Sequence, residues 1–154
     1  MDKIYDVFTV GAGPAGLTAA LYCRRAEKSV IIAEKEVAGG QVTHSPKIEN
    51  YPGFVEMSGM EFSDKLVDQV LKQGADLRME TAVEITDLEK TKKVTTDCDE
   101  YESRTVIIAT GAKHRLLGLE GEEELIGNGI SFCAVCDGAF YAGKDVAVIG
   151  GGNS

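Results

Sequence analysis

Apolar positions along this chain fall into short continuous runs bounded by glycine, separated by two stretches in which they recur at helical spacing. Val7-Phe8-Thr9-Val10 is a run of the first kind and predicts a buried strand. Gly11 to Gly16 follows, and then Leu17, Ala20, Leu21 and Cys23 share one face of an expected helix lasting to about Lys28. Pro14 suits the first turn of that helix, because the N–H it lacks would be unpaired there in any case. Val30-Ile31-Ile32-Ala33 predicts the next strand, so the opening segment reads as a βαβ unit. Ser58 and Glu61 have capping-box spacing ahead of an apolar face of Phe62, Leu66, Val67, Val70 and Leu71, which predicts a second helix stopped by Gly74. From Ala75 to Thr105 the period moves towards two, with Val83 and Ile85 alternating against polar residues. Short antiparallel strands with a turn near Lys90–Lys93 are expected there. Val106 to Ala109 is continuous and apolar, as in a strand buried on both faces. The glycine- and acid-rich stretch from Gly111 to about Gly129 reads as a connection. Its acidic run around Glu122 is expected to be a solvated surface. Val146 to Ile149 predicts a further buried strand, feeding a second glycine turn at Gly150-Gly151-Gly152-Asn153.

Composition narrows the possibilities. A length of 154 residues suits one domain, or one domain and part of another. The net charge is −9 and no basic cluster occurs, which argues against nucleic acid or an anionic membrane as partner. No apolar run reaches the length of a bilayer span, and the first residues lack the basic and cleavage features of a signal peptide, so a cytoplasmic location is expected.

The first glycine run has a chemical rationale. Gly11 permits a tight turn, Gly13 lets the backbone approach a pyrophosphate, and Gly16 lets helix and strand pack closely. The helix N-terminus then presents N–H groups and the positive end of its dipole to phosphate. Glu34, ending the second strand, is placed to accept a hydrogen bond from a ribose hydroxyl. These residues indicate a dinucleotide cofactor without separating FAD from NAD.

Cys133-Ala134-Val135-Cys136-Asp137 carries the second candidate chemistry. Four cysteines are few for a disulfide scaffold, and a two-residue-spaced pair outside an oxidising compartment reads as catalytic or metal-binding. Zinc would need two more ligands. Cys23 lies on a core-facing helix, Cys98 in an acidic stretch, and His44 and His114 are isolated, so a reversible dithiol is preferred. Asp137 supports two readings, a proton donor and acceptor for the thiols or a local cap.

Gly11–Gly16, Gly39-Gly40-Gln41, Glu49-Asn50-Tyr51-Pro52-Gly53, Ala109-Thr110-Gly111, Cys133 to Gly138 and Val148 to Asn153, in this order, resemble the low-molecular-weight thioredoxin reductases of bacterial type along nearly the whole chain. The resemblance implies an α/β, Rossmann-like FAD/NAD(P)-binding fold of three-layer ββα architecture, with a central parallel sheet and a small antiparallel β-meander. Residues 1–112 would be the first segment of an FAD-binding domain, and 113–154 the start of an NAD(P)H-binding domain carrying the dithiol. FAD would lie along Gly11, Ala12, Gly13, Pro14, Ala15, Gly16, Glu34, Lys35, Gly39, Gly40, Gln41, Asn50, Val83, Ala109, Thr110 and Gly111. NADPH would bind at Gly150, Gly152 and Asn153. Electrons would pass from NADPH through FAD to Cys133 and Cys136, with Cys136 facing the flavin, Cys133 attacking the disulfide of thioredoxin and Asp137 handling the proton. NADH or ferredoxin as donor, or a peroxiredoxin-linked partner, is the alternative. A homodimer is implied for the family. Because family members are longer and the second glycine signature lacks its helix, the chain is expected to be a fragment with little activity alone.

Overall fold

A computed structural model of the chain describes residues 3–151. Gly152 and Asn153 of the second glycine signature lie outside the described residues. The elements are β1 (Ile4–Val10), α1 (Pro14–Arg25), β2 (Val30–Glu34), α2 (Gly59–Lys72), β3 (Asp76–Met79), β4 (Ala82–Asp87), β5 (Lys92–Thr96), β6 (Glu100–Ile108) and a four-residue helix α3 (Ala134–Asp137). The strands form one sheet in the order β3-β2-β1-β6-β5-β4. β1 pairs in parallel with both β2 and β6, and β2 with β3, while β4, β5 and β6 form an antiparallel meander.

Two apolar layers hold this arrangement. On one face Val7, Val30 and Ile32 meet Leu17 and Ala20 of α1 and Val70 of α2. On the other, Phe8, Ile31 and Ala33 meet Val94 of the meander, and the rings of Phe8 and Tyr101 sit 5.7 Å apart. Helices, parallel strands and meander therefore make the three expected layers. Leu17 is almost fully buried, so Leu17→Ala is expected to cost about 2–5 kcal/mol through lost contacts and a cavity. A urea titration would measure it.

Local chemistry explains the helix boundaries. α1 stops at Arg25, three residues before the expected end, and Arg24 donates to the carbonyls of Lys28 and Gln73, tying the ends of both long helices together. The Ser58 hydroxyl accepts from the Glu61 N–H at 3.1 Å, as a helix cap should, and Gly74 follows the α2 terminus at φ +82°.

The structure corrects four expectations. Asp76–Met79 is not part of the antiparallel set. It returns through α2 to lie parallel to β2, as a strand following a crossover helix does. Val106 to Ile108 is not buried on both faces: Ile107 meets the helical layer, but Ile108 on the meander side is 70% exposed. Val146 to Ile149 forms no strand and its apolar side chains are exposed, with no neighbouring strand to pair its backbone among the described residues. Glu122 is not solvated but only 3% exposed, for a reason given below.

Asp6 links β1 to the loop before β2. Its carboxylate accepts from the N–H and hydroxyl of Ser29, each bond under 3 Å, and these hold its pKa below the usual carboxylate range. The folded form thus binds a proton less readily than the unfolded chain. Asp6 contributes stability at neutral pH that is lost as pH falls through the lowered value. Asp6→Asn should lower the urea midpoint at pH 7 and flatten its decline towards pH 3. An unchanged decline would discount this residue.

Candidate active site

The parallel strands end together. β1 gives way to Gly11, β2 ends at Glu34 and β6 to Ala109, so the sequence-predicted residues of the first glycine motif converge on one edge. β1 lies between β2 and β6, so chain connections leave it in opposite directions, and ligands of doubly wound sheets bind at that point.

The three glycines are required for different reasons. Gly11 adopts φ +102°, and a Cβ there would strike the Ala109 backbone. A Cβ on Gly16 would run into the Gly11 carbonyl. Around Gly13 no protein atom lies within 4 Å of where a Cβ would stand, so internal packing does not demand glycine there. Gly13 also caps α1 without any side-chain hydrogen bond. Open space over an uncapped helix N-terminus fits a pyrophosphate, so the residues present suit a bound dinucleotide.

Glu34 is buried at the bottom of this cradle. One carboxylate oxygen accepts from the Ala12 N–H at 2.7 Å and the other from the Glu36 N–H at 3.0 Å. Its carboxylate therefore fixes the glycine turn. Lys35 is exposed and pairs with Glu36, whose pKa it holds low. Gly39 donates to the Ala12 carbonyl at 2.7 Å, bringing the Gly39-Gly40-Gln41 loop beside the turn, and the Gln41 side-chain amide bonds the Ala112 carbonyl. Pro14, Ala15 and Gly40 line the same edge, with the would-be Cβ of Gly40 at 3.3 Å from the Gly13 Cα. Thr110 and Gly111 follow Ala109 and are exposed. Asn50 and Val83 are exposed, on a loop and on β4.

Cys133 and Cys136 are joined as a disulfide, their Cα atoms 5.2 Å apart across the first turn of α3. The Cys133 sulfur accepts from the Cys136 N–H at 3.2 Å. Cys133 is half-buried and Cys136 exposed. The Asp137 carboxylate accepts from the Ser131 hydroxyl at 2.6 Å, and the Ser131 oxygen accepts from the Cys133 N–H at 3.1 Å. Asp137 closes α3 rather than capping its start, where Cys133 stands. An acid held this way sits within one hydroxyl of the dithiol backbone. It also lines an open cleft of about 340 Å³ with Pro46, Lys47, Asn128, Tyr141 and Lys144. Among the described residues no cluster of His, Cys, Asp and Glu could hold a metal. Cys23 packs against the helical core layer, and Cys98 is exposed with its thiol pKa raised by Asp97. No helix among the described residues is long and apolar enough to cross a membrane.

Sequence reasoning missed three groups. Ser131 carries no motif, His114 stacks its ring on Phe132 at 4.3 Å, and Glu122 folds the connection ahead of the dithiol. The sequence signal for Glu122 was its position after Gly118 and Gly121, whose backbone freedom allows a turn that brings loop N–H groups onto one carboxylate.

Comparison with known proteins identifies the family. The chain is 48% identical over 153 residues to a thioredoxin reductase of Listeria monocytogenes, and 46% identical to one of Bacillus subtilis. Each alignment covers 99% of this chain and 48% of the relative, so the chain spans about half the length of the curated relatives it matches. Among solved structures, the thioredoxin reductase of Streptococcus pyogenes superposes with a TM-score of 0.87 at 44% identity, covering 92% of this chain and 46% of that one. That of T. acidophilum gives 0.73 at 38% identity, covering 91% and 46%. The pyridine nucleotide-disulphide oxidoreductase profile matches residues 5–154, and this chain belongs to that family.

Proposed function

We propose that this chain carries the flavin cradle and the working dithiol of a thioredoxin reductase. The observation that carries the reading is a closed Cys133–Cys136 disulfide, with Asp137 held beside it, in one chain with a glycine turn shaped for a pyrophosphate. FAD would be held by Gly11 to Gly16, Glu34, Lys35, Gly39, Gly40, Gln41, Asn50, Val83 and Ala109 to Gly111. NADPH would be held from Gly150 onward. When bound, FAD supplies two-electron exchange between a nicotinamide and a disulfide.

The chain's own residues then account for the second half of the cycle. In the opened pair, the Cys133 thiolate attacks one sulfur of the partner's disulfide and expels the other as a thiolate. The Cys136 thiolate attacks Cys133, re-forms the intramolecular disulfide and releases the partner's second sulfur. The pair is oxidised as the partner gains two electrons. Asp137 takes the proton from the attacking thiol and returns it to the leaving sulfur. Because Cys136 is the exposed residue of the pair here and Cys133 the half-buried one, this assignment requires the dithiol segment to turn over before the partner docks. Residues 111–129 would provide one hinge, with left-handed glycines at Gly111, Gly118, Gly121 and Gly127 to absorb the change. In the family arrangement the working protein is a cytoplasmic homodimer.

The test is a steady-state comparison on the chain extended by the second half that its relatives possess, with thioredoxin disulfide as acceptor. NADPH is expected to support turnover well above NADH or reduced ferredoxin. Faster turnover with either of the others would move the protein to a neighbouring dithiol reductase.

A further inference from the structure

The connection between β6 and the dithiol is a folded object, and one side chain ties its two limbs. Glu122 sends its Oε1 to the Leu117 N–H at 2.9 Å, and its Oε2 to the N–H groups of Gly118 and Leu119 at 2.7 and 3.1 Å. Its own N–H donates to the Leu119 carbonyl at 3.2 Å. The carboxylate is buried, and the bond from Leu117 is the leading cause of its lowered pKa. A carboxylate receiving three backbone N–H bonds reverses the chain between its outgoing limb (113–119) and its returning limb (122–132). Gly118 and Gly121, both at positive φ, make the reversal possible.

A second tie joins the same limbs nearer the dithiol. The ring of His114, on the outgoing limb, stacks on Phe132 with an interplanar angle of 6°, and Phe132 directly precedes Cys133. The returning limb is also seated on the first unit: Gly127 lies so close to the His44 carbonyl that a Cβ there would stand 2.8 Å from it. Cys133 thus hangs from a limb held in place by the Glu122 staple and the aromatic stack, whereas Cys136, one helical turn on, is open to solvent.

We infer that Glu122 is a positioning residue for the dithiol: by closing the connection it keeps Phe132 on His114, and so decides which sulfur faces outward. It touches neither sulfur. Its effect passes through the limb, and releasing the staple lets Cys133 become as accessible as Cys136. The inference rests on Cys133 and Cys136 being the working pair, but its test reads sulfur accessibility and needs no turnover, so the two readings can fail separately.

The experiment uses the 154-residue chain with its disulfide reduced, pulse-alkylated with iodoacetamide and mapped by mass spectrometry, with exposed Cys98 as internal reference. In the unmodified chain, once each rate is corrected for thiolate fraction through its pH dependence, Cys136 should react about fivefold or more faster than Cys133, reflecting their different exposure. In Glu122→Ala the two rates should converge to within about twofold, and the amides of Leu117, Gly118 and Leu119 should exchange at least about tenfold faster. Glu122→Gln, which keeps one acceptor oxygen, should fall between. The amides of Phe8 and Ile31 report whether the sheet is intact. If Glu122→Ala disturbs them, His114→Ala, which removes only an exposed ring, decides by the same convergence. Faster exchange with an unchanged Cys136 preference would overturn the inference, as would an unchanged preference in a folded His114→Ala.

Discussion

Replacing Cys136 with serine in the extended protein should lower thioredoxin reduction by at least about a thousandfold while leaving the flavin-to-protein ratio unchanged. The loss follows from the chemistry of the pair. A serine hydroxyl neither forms the Cys133–Cys136 bond nor serves as the second thiolate, so a partner attacked by Cys133 cannot be released by exchange. Flavin retention follows from placement. The cradle is built from the turn after β1, Glu34 and the residues after β6, and α3 supplies none of these. Steady-state rates with thioredoxin and the absorbance of bound flavin measure the two effects. Full turnover would show that another thiol carries the exchange. Cys98, exposed in an acidic turn, would then be the first residue to test.

The second large effect separates the glycines of the cradle. Gly13→Ala should leave the chain folded with only a small fall in melting temperature from the poorer helix cap, yet weaken FAD binding by about tenfold or more, because the added Cβ occupies only the open space over the α1 N-terminus. Gly16→Val should fail in both respects, since its side chain would overlap the Gly11 carbonyl and push α1 away from β1 and β6. Thermal unfolding followed by circular dichroism, together with a flavin fluorescence titration, resolves the pair. If Gly13→Ala binds FAD normally, the open space is not where the pyrophosphate lies.

Much of this site is legible in the sequence because its requirements are local. Val7 to Val10, the glycine turn, the helical spacing of Leu17, Ala20 and Leu21, and Val30 to Ala33 are contiguous, and each dictates its own geometry. The helical face of α2 and its Ser58 cap are equally local. The direction of β3 is less so. Four residues with weak alternation do not reveal their partner, although the helix before them was a signal that the chain would return parallel. Val146 to Ile149 shows the converse. A strongly apolar run becomes a strand only when another strand meets its backbone donors and acceptors, and that is a property of neighbours. Residues joined across distance, such as His114 with Phe132, leave no periodic trace. Glu122 was hidden in a run of acids, where composition suggests solvent and only the flanking glycines hinted at a turn.

The central claim is that a dinucleotide site and the Cys133–Cys136 pair form one electron path. Anaerobic titration of the extended protein with NADPH tests it most directly, following flavin absorbance and, after acid quenching and alkylation, the redox state of each cysteine. The account predicts that Cys133 and Cys136 become alkylated together as NADPH is added, taking up two electrons beyond those held by the flavin. A flavin that bleaches completely while the Cys133–Cys136 disulfide stays closed would contradict it.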